Sequence, residues 1–120
     1  MMMGVLLCAL VLYSHVDAEA AKLADCFKGW SETTVARDFN KIWWYKKQSF
    51  AQTSNYGKKH YVRCYIGDFK GDSGRIWAKK PYNKVSAKSK KVNVGWSDKQ
   101  IVAALEAKCV RAYAKYGTKP

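Results

Sequence analysis

Histidine is nearly missing from this chain of 120 residues, which has only His15 and His60. Acids are scarce too, nine Asp plus Glu against 22 Lys plus Arg, and they are scattered singly along the chain. A lone histidine in the body of the chain excludes every two-His mechanism, and scattered cysteines offer no zinc spacing. With no close pair of carboxylates, no acid/base couple is expected. Proline is rare, at two residues, and glycine is ordinary at eight, so collagen-like and low-complexity classes are excluded. The expectation is a chain without enzymatic activity, cofactor or metal.

Long apolar runs are absent except at the start. Residues 4–13 are apolar and too short to span a bilayer, and Val16-Asp17-Ala18 supplies residues suited to a cleavage site. Residues 1–18 therefore read as a signal peptide, and 19–120 as a single small secreted domain. Ala18-Glu19-Ala20 is an equally legal cleavage site, and the n-region Met1-Met2-Met3 carries no Lys or Arg. Removing the leader takes away Asp17 alone among charged side chains. The 102 residues left carry 22 cations against 8 acids, a formal charge of +14.

What is present is apolar mass, 48% hydrophobic and 14% aromatic, enough for one core. Ser31 as N-cap, Glu32 in the first turn, and Val35, Phe39, Ile42 and Trp43 at helical spacing predict a helix over 32–46. Residues 60–69 alternate, with Val62, Cys64 and Ile66 inward and Tyr61, Arg63 and Tyr65 outward, which predicts a strand. Glycines and aspartates over 67–74 predict a hairpin connection, 75–79 a return strand, and 92–96 a third strand. Ser97 and Gln100 form a capping-box pattern. The stripe Ile101, Val102, Leu105, Cys109, Ala112, Tyr113 and Tyr116 then predicts a helix ending near Gly117. The expected fold class is α+β: an N-terminal helix, a small antiparallel sheet of three or four strands, and a C-terminal helix packed on the same sheet.

Cys8 leaves with the signal peptide, so Cys26, Cys64 and Cys109 remain, an odd number for an oxidising compartment. Cys64 reads as a core thiol, so a Cys26–Cys109 bridge joining the two ends is expected, with Cys64–Cys109 as the alternative. Gly71-Asp72-Ser73-Gly74 looks superficially like a serine-protease nucleophile motif. Arg75 follows it, however, and the chain is too short for a double barrel, so ordinary turn chemistry explains it.

The candidate site is charge interleaved with aromatics. Lys46, Lys47, Lys58, Lys59, His60, Tyr61, Arg63, Tyr65, Arg75, Trp77, Lys79 and Lys80 are expected on or beside the outward sheet face. Cations that track phosphates beside rings that stack on bases form the chemistry of single-strand RNA binding. The expected partner is RNA, ribonucleoprotein or another polyanion, bound by a monomer. Two other functions remain open from the sequence. One is a cationic antimicrobial or killer toxin on anionic membranes. The other is a protein that masks a host protein or glycan, with Trp44, Trp77 or Trp96 as anchors.

From Asp25-Cys26 through Gly29, Glu32, Val35, Arg37 and Tyr45-Lys46-Lys47-Gln48-Ser49-Phe50, the chain resembles the ribonuclease-like secreted effectors of cereal powdery mildews. The likeness runs over residues 25–82. It implies a fold related to secreted fungal ribonucleases and a virulence role in the host cell after secretion. His60 falls where such ribonucleases carry a catalytic histidine, and Lys79 where they carry a catalytic Glu. Loss of that base implies binding of RNA rather than cleavage. Two features depart from the pattern: Ala24 stands where those effectors usually have an aromatic residue, and 97–116 reads as helix where they have strands. A terminal helix carrying a Cys is more similar to small killer-toxin-like fungal proteins. A fainter likeness, around 43–64, is to arthropod salivary lipocalins, whose barrel 102 residues cannot close.

Overall fold

The β-branched run Thr33-Thr34-Val35 and the aromatic run Trp43-Trp44-Tyr45 flank an Asx turn and suit a pleated surface better than a helix. In the computed structural model, which describes residues 18–120, they form a long hairpin of β1 (Phe27–Arg37) and β2 (Trp43–Thr53). Asp38 makes its turn. One carboxylate oxygen accepts the Asn40 and Ile42 N–H groups at 2.9 and 3.0 Å, and the other accepts the Trp44 indole N–H at 2.8 Å. Lys41 takes the left-handed backbone that closes the turn, with φ 66°. The helix expected over 32–46 is therefore replaced by two strands. A local turn signal and β propensity outweigh an apolar spacing that happened to fit 3.6.

Seven strands and two helices follow in the order α1 (Ala18–Cys26), β1, β2, β3 (Tyr61–Ile66), β4 (Ile76–Trp77), β5 (Val85–Lys88), β6 (Val92–Ser97), α2 (Gln100–Lys108), β7 (Ala112–Gly117). In the first sheet β1 lines one edge of β2, while β5 and β6 share the other in tandem, all antiparallel. Between them Ser89 continues the line, its N–H donating to the Ser49 carbonyl at 2.9 Å. The second sheet is antiparallel in the order β4-β3-β7. The α+β class expected from the sequence is thus corrected to a mainly β protein of two antiparallel sheets.

The sheets meet through inward side chains. Val62 and Cys64 pack with Ala51 and Ala87, bordered by Phe27, Val85 and Ala114; Ile66 packs with Val94 and Ala107. The expected strands over 60–69 and 75–79 contain β3 and β4, the one over 92–96 falls within β6, and Val62, Cys64 and Ile66 are all fully buried. The helix expected over 97–116 is cut in two. α2 stops at Lys108, and β7 then pairs with β3 from Ile66↔Ala112 to Tyr61↔Gly117. Without that ladder, one edge of the buried strand β3 would keep its backbone groups unpaired. Ser97 is not the helix cap either: its hydroxyl accepts the Lys99 N–H at 3.1 Å, in the turn before α2. The stripe is not buried: Ala103 and Ala107 dock, while Ile101 and Leu105 are exposed.

The expected Cys26–Cys109 bridge is not formed; Cys26, Cys64 and Cys109 are all free. Cys26 lies beside Ser54, whose N–H donates to the Cys26 carbonyl. Cys109 follows α2, whose end is held by Lys47, with Nζ donating to the Ala107 and Val110 carbonyls. Lys47 and Ser54 are seven steps apart along one extended segment, roughly 23 Å, far beyond the ~7 Å that a disulfide allows between Cα atoms. The alternative partner, Cys64, is in the core between the sheets, and burial pushes its thiol up from its ordinary pKa. The expected signal peptide lies outside the described residues, apart from Ala18. Among the described residues no helix is long and apolar enough to cross a membrane.

Candidate polyanion-binding face

Alternation along β3 sends Tyr61, Arg63 and Tyr65 to the side opposite the core, and the pairing register fills the rows beside them. Tyr61 sits between Trp77 and Gly117, Arg63 beside Lys115, and Tyr65 beside Tyr113. A Cβ on Gly117 would meet the Tyr61 hydroxyl at 2.5 Å, so the glycine is what lets the ring lie across β7. One row is aromatic, the next cationic, the third aromatic again. Phe69, from the loop after β3, extends the third row by stacking on Tyr65 with ring centres 4.5 Å apart.

Cations lie over these rings. Arg75 is 4.5 Å from the Tyr61 ring centre, Lys59 5.4 Å from Trp77, and Lys115 5.6 Å from Tyr65. Arg63 lies over Tyr65 and Phe69 at 5.5 and 5.2 Å. A cation held against a π face keeps its full charge while losing side-chain freedom. Among the described residues, Arg63 is paired with a carboxylate, and Lys59, Arg75 and Lys115 are not. Its guanidinium grips Asp72 with two donors, Nε to Oδ1 at 2.9 Å and Nη2 to Oδ2. Asp72 also accepts the Gly74 N–H at 2.8 Å. The residues of the apparent nucleophile motif therefore orient Arg63, and Ser73 Oγ accepts the Cys64 N–H.

The Arg63 hydrogen bond holds the Asp72 carboxyl below its usual range. A depressed folded value means the pair's stabilisation is present above the unfolded carboxylate value, near pH ~3.9, and is lost as pH falls through the folded one. Because both side chains are well solvated, the contribution is small. Asp72→Asn is expected to flatten the acid limb of the stability curve below pH ~4, measured by urea unfolding at successive pH values.

Several residues expected on this face are elsewhere. His60 is fully buried. Its Nδ1 is 2.6 Å from the Lys58 carbonyl, which can only accept, so Nδ1 carries a proton. Nε2 forms a hydrogen bond with the Thr53 hydroxyl, 2.6 Å away. The pair has the distances of a nucleophile and its base, but both groups are sealed in the interior, where they tie the end of β2 to the start of β3. The position that the effector resemblance assigns to a catalytic histidine is thus a core brace. Lys47 holds α2, and Lys46 is on the outer face of the first sheet. Tyr65 is on the face but almost covered by its neighbours.

Lys58, Lys79 and Lys80 are exposed at its margin. A shallow cleft lined by Trp77, Lys79, Lys80, Pro81 and Lys84 continues the cationic surface past β4. Tyr113, Lys115 and Phe69 belong to the face and are not among the residues expected from the sequence. The alternation Ala112-Tyr113-Ala114-Lys115-Tyr116 was the signal for β7. The three tryptophans expected as anchors are dispersed. Trp44 stacks on Trp96 at 5.7 Å on the first sheet, and Trp77 is on the second. Among the described residues no cluster of His, Cys, Asp and Glu could hold a metal ion. No protein-family model, curated protein or solved structure matches this chain.

Proposed function

We propose that the protein is a secreted, cationic, non-catalytic effector that binds host RNA or ribonucleoprotein through the outer face of β4-β3-β7. The observation that carries this reading is the register itself, which stacks aromatic, cationic and aromatic rows on one three-stranded sheet. Lys59, Arg75 and Lys115 hold no carboxylate there, so their charge is directed at an outside anion. Rings accept bases of any sequence, and cations accept the phosphates between them, so the expected binding is strong in salt dependence and weak in sequence preference.

Filter binding to a single-stranded RNA of about 12 nucleotides tests it. With about four phosphates neutralised, log K is expected to fall against log salt with a slope near −3. Arg75→Glu and Lys115→Glu are each expected to weaken binding about tenfold, because each converts a phosphate contact into a repulsion. A slope near zero, or affinity indifferent to both reversals, refutes the reading. Leakage of anionic but not neutral vesicles, with no RNA binding, assigns the same charge to a membrane-active toxin instead.

A further inference from the structure

β1 is an edge strand of eleven residues, half-buried at Phe27 and exposed at every residue from Lys28 to Arg37. The direction of its backbone groups follows from two hydrogen bonds at its ends. Ser54 N–H donates to the Cys26 carbonyl at 3.1 Å, and Asp38 N–H to the Ile42 carbonyl at 3.0 Å. Both pairs continue the β1–β2 register, and both involve even-numbered β1 residues. Hydrogen-bonded and non-hydrogen-bonded pairs alternate in an antiparallel ladder. Even positions of β1 therefore bond to β2, while Phe27, Gly29, Ser31 and Thr33 direct their N–H and C=O groups at the open edge.

The side chains divide with the same period. Gly29 faces the second sheet, where a Cβ would lie 2.6 Å from the Ala114 Cβ. Lys28, Trp30 and Glu32 face the other way. Trp30 is already braced there, stacked on Phe50 at 5.2 Å, with Lys28 over its ring at 5.5 Å.

Cation, aromatic and anion at alternate positions form a self-complementary pattern for antiparallel pairing. We propose that β1 is a dimerisation edge, pairing antiparallel with β1 of a second copy about a two-fold axis at Trp30. In that register Trp30 meets Trp30 of the second copy, and Lys28 meets Glu32 on both sides of the axis. Gly29 exchanges hydrogen bonds with Ser31, and Phe27 with Thr33. The Trp and Lys–Glu pairs fall at non-hydrogen-bonded positions, where Cα atoms are closest, about 4.5 Å, and cross-strand side chains interact most. Moving the axis one residue either way sets Lys28 opposite Thr34 or Trp30 and leaves Glu32 opposite Trp30 or Cys26. Moving it to Glu32 opposes two carboxylates. No proline or bulge interrupts the edge to prevent the pairing. The surface is separate from the polyanion-binding face, so this inference stands without that reading. It departs from the monomer expected from the sequence, because the helix expected over 32–46 would have no open edge.

Sedimentation equilibrium of the purified protein across the micromolar range tests the proposal, with circular dichroism to confirm that each variant keeps its β structure. The wild type is expected to dimerise. Glu32→Lys is expected to weaken the dimer at least tenfold by opposing like charges twice. Ser31→Pro removes an N–H that serves the open edge and none that serves β2, and is expected to give a folded monomer. The double exchange Lys28→Glu with Glu32→Lys restores the complementarity and is expected to recover the dimer. A wild type that stays monomeric throughout, a dimer that survives Ser31→Pro, or a double exchange that fails to recover overturns it.

Discussion

Gly95→Ala is expected to lower stability by about 3 kcal/mol, dropping the melting temperature by roughly 15 °C in a domain of this size. Gly95 is in β6 where α2 crosses it. A Cβ there would run into the Ala103 carbonyl oxygen and lie 3.1 Å from the Ala107 nitrogen. These are backbone atoms of a helix, so no side chain can rotate out of the way. The residues that the helix buries are small, Ala103 and Ala107. Its only routes to relief are to lift off β6 or to break its last turn, which Lys47 holds. The control is Asn93→Ala, exposed on the same strand, which is expected to change stability by less than about 0.5 kcal/mol. Thermal unfolding followed by circular dichroism distinguishes them. A Gly95→Ala protein as stable as the wild type would mean that α2 is not docked this closely.

His60→Ala is expected to cost about 3–4 kcal/mol and to leave RNA affinity nearly unchanged under conditions where the protein remains folded. The loss has two parts. The imidazole leaves a cavity in a fully buried position. It also takes a hydrogen-bond partner from the Lys58 carbonyl and from the buried Thr53 hydroxyl, which then has to find water or remain unpaired. Thr53→Val removes one partner but fills the space, and is expected to cost about half as much. Comparing urea midpoints with RNA affinity separates the roles. A His60→Ala protein with near-normal stability and sharply weaker binding would return the histidine to the binding face.

β3 is legible in the sequence because its environment is uniform along its length: one side meets the core and the other meets solvent. Val62, Cys64 and Ile66 therefore alternate with Tyr61, Arg63 and Tyr65 without interruption. The β1–β2 hairpin is not legible by periodicity, because β1 buries almost nothing. Val35 and Phe39 fit a helical stripe, yet both are exposed. The better guides were Asp38 and Asn40, turn residues between β-branched and aromatic runs. At the C-terminus, alanines suit both a helix and a close-packed strand, so 97–116 contains one of each. The candidate face was legible to the extent that β3 was. Tyr61, Arg63, Arg75 and Trp77 follow from it, whereas Lys115 and Tyr113 depend on a strand read as helix. His60 was misplaced because a histidine next to two lysines reads as surface; only the fold reveals Thr53 as its partner.

The pairing of β3 with β7 joins residues about fifty positions apart, so β7 leaves the ribosome well after β3. Until it arrives, β3 has an uncovered edge, and the thiol of Cys64 is open to oxidants and to stray disulfide exchange. Non-local strand pairing is slow, on the order of milliseconds to seconds. The interval in which Cys64 can be captured therefore ends only with the closing of β7. Once it is closed, burial and the raised thiol pKa withdraw the sulfur from exchange chemistry. The closing of β7 over β3 thus sets how long the Cys64 sulfur stays within reach of other thiols.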